Sequence, residues 1–163
     1  MNNLHLGTLL LGALLFAVPA AAPLSAAEEA EHPVFINADE MKWDSAPPGL
    51  PAGAKATVVY GDPHKPGPFV VRLMTPAGYK IMPHWHTRAE NLTVISGALY
   101  LGGGDSFDYS KAHALKPGGY HYLPARMHHF AFTDMPTVVQ IHGEGPFDIN
   151  YVRQSDDPRG QVR

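Results

Sequence analysis

The chain has 163 residues, with 12 Lys and Arg against 15 Asp and Glu, a formal net charge of −3 and no cysteine. That length fits one domain, and a chain without a basic stripe to neutralise phosphates is not expected to bind nucleic acid. Zero cysteine excludes disulfides, thiolate ligands and a lipoprotein anchor.

Leu4 to Val18 is apolar apart from His5, Gly7, Thr8 and Gly12. It is too short for a comfortable membrane span and is followed by a small-residue run from Pro19 to Ala27, the pattern of a secretory signal peptide. Cleavage after Ala27 would place Ser25 and Ala27 at the small-residue positions and release Glu28 as the new terminus. The first five residues carry no Lys or Arg, so an uncleaved anchor is the competing reading. Residues 1–27 as signal peptide imply a periplasmic or secreted bacterial protein with no stable membrane anchor after cleavage. The remaining ~135 residues are enough to bury a core without cross-links.

Residues 28–55 read as an N-terminal arm. It begins acidic, passes through Val34-Phe35-Ile36, and becomes dense in Pro and Gly from Ser45 to Gly53, where regular structure is not expected. The Val34 to Ile36 triplet is expected as an edge strand, pairing with the body of the domain or with a second copy in a homodimer. Over residues 56–155, short β-rich runs recur between turn signals: 56–60, 69–74, 79–86, 91–95, 98–101, 120–123, 128–132, 137–142 and 149–152. No segment holds a helical period. With 16 Gly and 16 Pro at the joints, the expectation is an all-β, double-sheet jelly-roll barrel, followed by a tail over 156–163.

The chemistry is concentrated in Gly78-x5-His84-x-His86-x3-Glu90-x6-Gly97. Side chains alternate along a strand, so His84 and His86 point the same way across Trp85. Glu90 follows a gap long enough for the chain to bend into the next strand, where Leu92 and Val94 share its face. A further ligand is offered in the Gly/Pro-bounded segment from Gly118 to Phe130, which carries His121, His128 and His129.

These residues resemble the cupin superfamily. Its first motif, G-x5-H-x-H-x3,4-E-x6-G, is matched at every defined position from Gly78 to Gly97. Its second, G-x5-P-x-G-x2-H-x3-N, is matched at Gly118, Pro124 and His129, while Arg126 replaces the internal glycine and Thr133 the final asparagine. Those departures leave the ligand in place and question the turn geometry. The similarity extends from about Val58 to Val152 and is nearest to small single-domain bacterial cupins related to the zinc-binding anti-sigma proteins. The resemblance implies a cupin barrel and one divalent metal held by His84, His86, Glu90 and His129. Family spacing from Pro124 selects His129, and alternation then turns His128 outward.

Three nitrogens and one oxygen suit Fe, Mn, Ni, Zn or Cu alike, so the ligand set does not name the metal. His121 and His142 fall on strands near the site and read either as proton carriers, with Glu90, or as hydrogen-bonded structural histidines. His32, His64 and His113 sit among Pro and Gly and are expected to be solvated. Met82 and Met127 share strand parity with the ligands and are expected at the cavity wall, or as thioether neighbours of copper. Trp85, Phe130 and Phe132 read as sheet packing. Arg72 and Arg126 offer forks to a carboxylate substrate, against the commoner state of a solvated or ion-paired arginine. Gly102 to Asp105 is a turn and not a phosphate loop, and no G-x-S-x-G elbow is present.

Two functions remain open on these residues. One is an exported metal-dependent enzyme, dioxygenase-like, acting on a small organic molecule, with decarboxylases, isomerases and lyases also implied by the resemblance. The other is a non-catalytic metal or small-ligand binding or sensor cupin with a closed site.

Overall fold

The computed structural model describes residues 32–160. The expected signal peptide, its cleavage position and the last three residues of the tail lie outside the described residues. Among the described residues there are eleven strands: β1 (Asp44–Ser45), β2 (Lys55–Tyr60), β3 (Gly67–Thr75), β4 (Lys80–Trp85), β5 (Glu90–Ser96), β6 (Leu99–Gly103), β7 (His113–Leu115), β8 (Tyr120–Leu123), β9 (His129–Phe132), β10 (Thr137–Gly145) and β11 (Asn150–Tyr151). The described helical structure is limited to four single 3-10 turns, and no described helix is long and apolar enough to cross a membrane.

The strands form two antiparallel sheets, of order β1-β2-β3-β10-β5-β8 and β11-β4-β9-β6-β7. The frame of the first is the nine-residue register of β3 with β10, from Gly67↔Gly145 to Thr75↔Thr137. Alternation divides each strand between core and solvent. Glu90, Leu92 and Val94 of β5 are buried, as are Leu73 of β3, Val139 of β10, Leu99 of β6 and Ala131 of β9, and both sheets contribute to one apolar cluster. Phe130 is fully buried, and its truncation to alanine would cost ~3–5 kcal/mol. This is the expected all-β jelly roll, with one difference: the two sheets pack around the core without closing into a barrel.

All nine sequence-derived runs coincide with strands. β1 and β7, two and three residues long, were not expected, because so few residues show no alternation. The Val34 to Ile36 triplet is not a strand: it makes no sheet pairing within the chain, and Phe35 is 91% exposed. Three consecutive apolar side chains cannot all face one side of a sheet. The outer position on that edge is taken by β1 against β2.

The Pro/Gly arm is held down instead. Tyr79 and Tyr151 donate their hydroxyls to the carbonyls of Pro51 (2.6 Å) and Gly49 (2.9 Å). Ala46, Leu50 and buried Ala54 pack on the core. At the other end of the first motif, Gly97 has φ +78, and a Cβ there would meet the Pro136 carbonyl at 2.4 Å. Only glycine fits that turn.

Candidate metal centre

His84 lies on the inner face of β4 and is the register partner of His129 on β9. His86 follows just beyond the strand, and all three imidazoles are buried. Their ring centroids stand 4.1 Å (His84 to His129), 5.1 Å (His84 to His86) and 5.2 Å (His86 to His129) apart. One donor atom from each lies within 4.8 Å of the other two.

The outward ring nitrogens settle which atoms converge. Nδ1–H of His84 donates to the Met82 carbonyl (2.7 Å), Nδ1–H of His129 to the Met127 carbonyl (3.0 Å), and Nδ1–H of His86 to the Asp148 carbonyl. Each Nε2 is therefore left as a lone pair. His86 Nε2 is buried with no hydrogen-bond partner, a costly state for a polar atom unless a Lewis acid takes it. Burial, then the neighbouring imidazoles of His129 and His86, hold His84 well below its usual value. Burial pulls His129 down to about 4 despite the opposing pull of Glu90. Both rings are neutral at physiological pH, as ligands must be. The donor set fits a first-row divalent metal.

Glu90 enters from the other sheet, at the start of β5. Its Oε1 is 3.9 Å from His86 Nε2, and its Oε2 is 3.7 Å from His129 Nε2. His121, one residue in from the β8 edge register Leu92↔His121, donates Nε2–H to Oε2 at 3.1 Å. Burial pushes the Glu90 carboxyl up, but the His121 hydrogen bond and the imidazoles of His86 and His129 outweigh it and hold it at about 2. The carboxylate is ionised and aimed at the triad.

Three residues fall elsewhere than expected. His142 is out of phase with Val139 and Ile141, which line the cavity; its register partner is Asn91, itself out of phase with Glu90 and Leu92. It belongs to the outer face of the sheet and has no place beside the triad. Met82 does not line the cavity either. The β4–β9 register shifts between Ile81 and His84, so Ile81, three residues from His84, takes the inward position and Met82 contributes its carbonyl. Met127 is 40% exposed. No described methionine lines the cavity.

The two arginines are also outside the cavity. Arg72 lies on the outer face, donating to Gln140 Oε1 (3.1 Å) and Met41 Sδ (3.4 Å). Arg126 is exposed, with φ +64. It keeps the left-handed conformation that glycine would adopt, and its N–H donates to the His86 carbonyl at 2.8 Å. Thr133 replaces asparagine with a different tie: its hydroxyl donates to the Pro76 carbonyl at 2.8 Å. His128 turns away to Asp105 Oδ1, at 2.5 Å.

A cavity of about 160 Å³ opens beside the triad. Its walls include Phe69, Val71, Leu73, Ile81 and Ile141 from the sheets, with Gly49 and Leu50 from the arm and Phe147 to Ile149 from the loop after β10. Phe147 stacks on the His86 ring at 4.4 Å and 17°. The Asp148 carboxylate is anchored by Thr87 N–H and Oγ1–H, both at 2.7 Å. Sequence reasoning missed this loop, because its contact with His86 is made by a main-chain carbonyl, which no side chain announces.

Neither a protein-family model nor a curated protein sequence matches the chain. Solved structures do. The polyketide cyclase RemF from Streptomyces resistomycificus superposes with a TM-score of 0.63 at 15% identity, covering 77% of this chain and 89% of that one. An acetylacetone dioxygenase from Acinetobacter johnsonii gives 0.60 at 16%, covering 78% and 82%. An RmlC-like cupin from Shewanella frigidimarina gives 0.53 at 15%, covering 71% and 91%. The likeness is one of fold.

Proposed function

We propose that this chain, whose fold is that of the cupins, is an exported metal-dependent enzyme of dioxygenase type acting on a small organic molecule. The observation that carries the reading is the convergence of three imidazole donors beside a largely apolar cavity. An acetylacetone dioxygenase among the structural neighbours agrees with it, and the apolar leader of residues 4–18 supports export.

In this reading His84, His86 and His129 hold the metal, and Glu90 Oε1 completes the set. The metal, when bound, supplies Lewis acidity and, if redox-active, the electrons for dioxygen chemistry. The protein's part is orientation and exclusion of water. Carbonyls of Met82, Met127 and Asp148 fix the ring tautomers. His121 fixes Glu90 through Oε2, which leaves Oε1 free to face the metal. Phe69, Val71, Leu73 and Ile141 keep the reacting end dry.

The test is elemental analysis of the purified protein, followed by oxygen uptake with iron-, manganese-, nickel- and copper-loaded samples against small ketones, diketones and phenols. Uptake that requires both metal and substrate and is lost in His86→Ala supports the reading. A second reading is non-redox chemistry at the same centre, in keeping with the RemF likeness: it predicts product without oxygen consumption. Stoichiometric metal with neither would leave a binding protein.

A further inference from the structure

The cavity also limits what can enter it. Resting on the reading of that cavity as the substrate site, we propose that it takes an uncharged, largely apolar molecule about the size of one six-membered ring, with a single polar head at the imidazole end.

The size follows from the volume. About 160 Å³ is close to the ~150 Å³ apolar cavity that admits benzene. The chemistry follows from the walls. Among the described residues, no Lys or Arg lines the space, and the two arginines suited to a carboxylate are engaged or exposed elsewhere. The polar groups collect at one end, where the imidazoles and Glu90 meet. Asp148 has its carboxylate tied to Thr87 and Asn150, and His64 stands exposed at the mouth.

A ligand's body therefore meets Phe69, Val71, Leu73, Ile141 and Ile149. A second hydroxyl or carboxylate on that body would be buried without a partner, which costs several kcal/mol by general transfer data. An anionic head would be buried with no Lys or Arg in the wall to offset its charge. Sugars, amino acids and dicarboxylates are excluded on the first ground, and simple carboxylates from the metal-free protein on the second.

The experiment uses three probes of one ring size: cyclohexanone, cyclohexanecarboxylate and inositol. Thermal unfolding is followed for the metal-free and the zinc-loaded protein, with a zinc titration alongside. Cyclohexanone is expected to raise Tm by about 10 °C at roughly a hundred times its Kd. In the metal-free protein the carboxylate should bind at least about tenfold more weakly, and inositol should do so in both forms. Val71→Phe, or Leu50→Phe on the arm if that variant fails to fold, should abolish the ketone shift and keep one equivalent of zinc.

The proposal is overturned if the metal-free protein prefers the carboxylate, if inositol matches the ketone, if no probe shifts Tm, or if the ketone shift survives the cavity-filling variant. A ketone shift without zinc binding would remove the metal reading and leave this one standing. Zinc binding with equal response to inositol would do the reverse.

Discussion

His84 and His129 face each other across β4 and β9, and each donates its Nδ1–H to the carbonyl two residues earlier in the chain, Met82 and Met127 respectively. The pair is pre-oriented by local backbone on both sides before any metal arrives, so little ordering is left to oppose binding. Replacing His129 by Gln should leave the fold intact and lower metal affinity by more than the 10- to 100-fold typical of an indirect partner. Competition against a chelator of known affinity measures this; unchanged affinity would remove His129 from the ligand set.

His121 touches the site only through Glu90 Oε2. His121→Ala should weaken metal binding about 10- to 100-fold, and His121→Gln, which retains an N–H donor, should recover part of the loss. The carboxyl should also titrate higher in His121→Ala, visible by infrared or NMR, a change that a purely structural role would not produce.

His142 gives the contrasting case. Being on the outer sheet face with Asn91, His142→Ala should leave metal affinity unchanged and stability within about 0.5 kcal/mol. A large loss of metal or turnover in this variant would mean that the strand phase assigned to β10 is wrong.

Acid should destabilise the metal-free protein in a defined window. The unfolded chain takes up the His129 proton near pH 6.5 and the folded one near 4. Stability therefore rises with pH between those values; the contribution is complete above 6.5 and gone by about 4, up to ~3 kcal/mol. His84 acts in the same direction. Glu90, held at about 2 against an ordinary 4.5, extends the loss at still lower pH. Calorimetry of metal-free wild type should show Tm falling from pH 7 to 4, with a shallower fall for His129→Gln; parallel curves for the two would count against it.

Arg126 carries a side chain in left-handed backbone, φ +64. Arg126→Gly should stabilise by about 0.5–1 kcal/mol, since relief of the steric cost slightly exceeds glycine's entropic one. Arg126→Val should destabilise. Urea denaturation separates the two.

Strand alternation and cross-strand register are simple rules, and x-His84-x-His86-x puts two rings on one face; the choice of His129 over His128 rests on the resemblance to the second cupin motif through its distance from Pro124. The rules fail where the backbone departs from them. Extrapolating parity from His84 back to Met82 crosses the register shift after Ile81, and the wrong residue is sent inward. The order of strands brings His142 near the site, but its phase along β10 sends the side chain the other way. Phe147 and Asp148 stay hidden for a different reason: 62 residues separate Asp148 from the ring it orients, and the contact is a carbonyl. The Pro/Gly composition of the arm predicts irregular structure, but its Tyr79 and Tyr151 tethers depend on a chain path that composition does not encode.

One consequence concerns how this centre can be lost during evolution. All three imidazoles are steered by main-chain oxygens, so no side-chain replacement at Met82, Met127 or Asp148 deletes those acceptors. Drift at Met82 and Met127 is tolerated in a way that a carboxylate or amide partner would not permit, whereas Asp148 also holds its loop to Thr87 through its side chain. The centre is exposed instead to insertions and deletions, above all between Gly145 and Asn150, where one residue more or less would carry the acceptor away from His86.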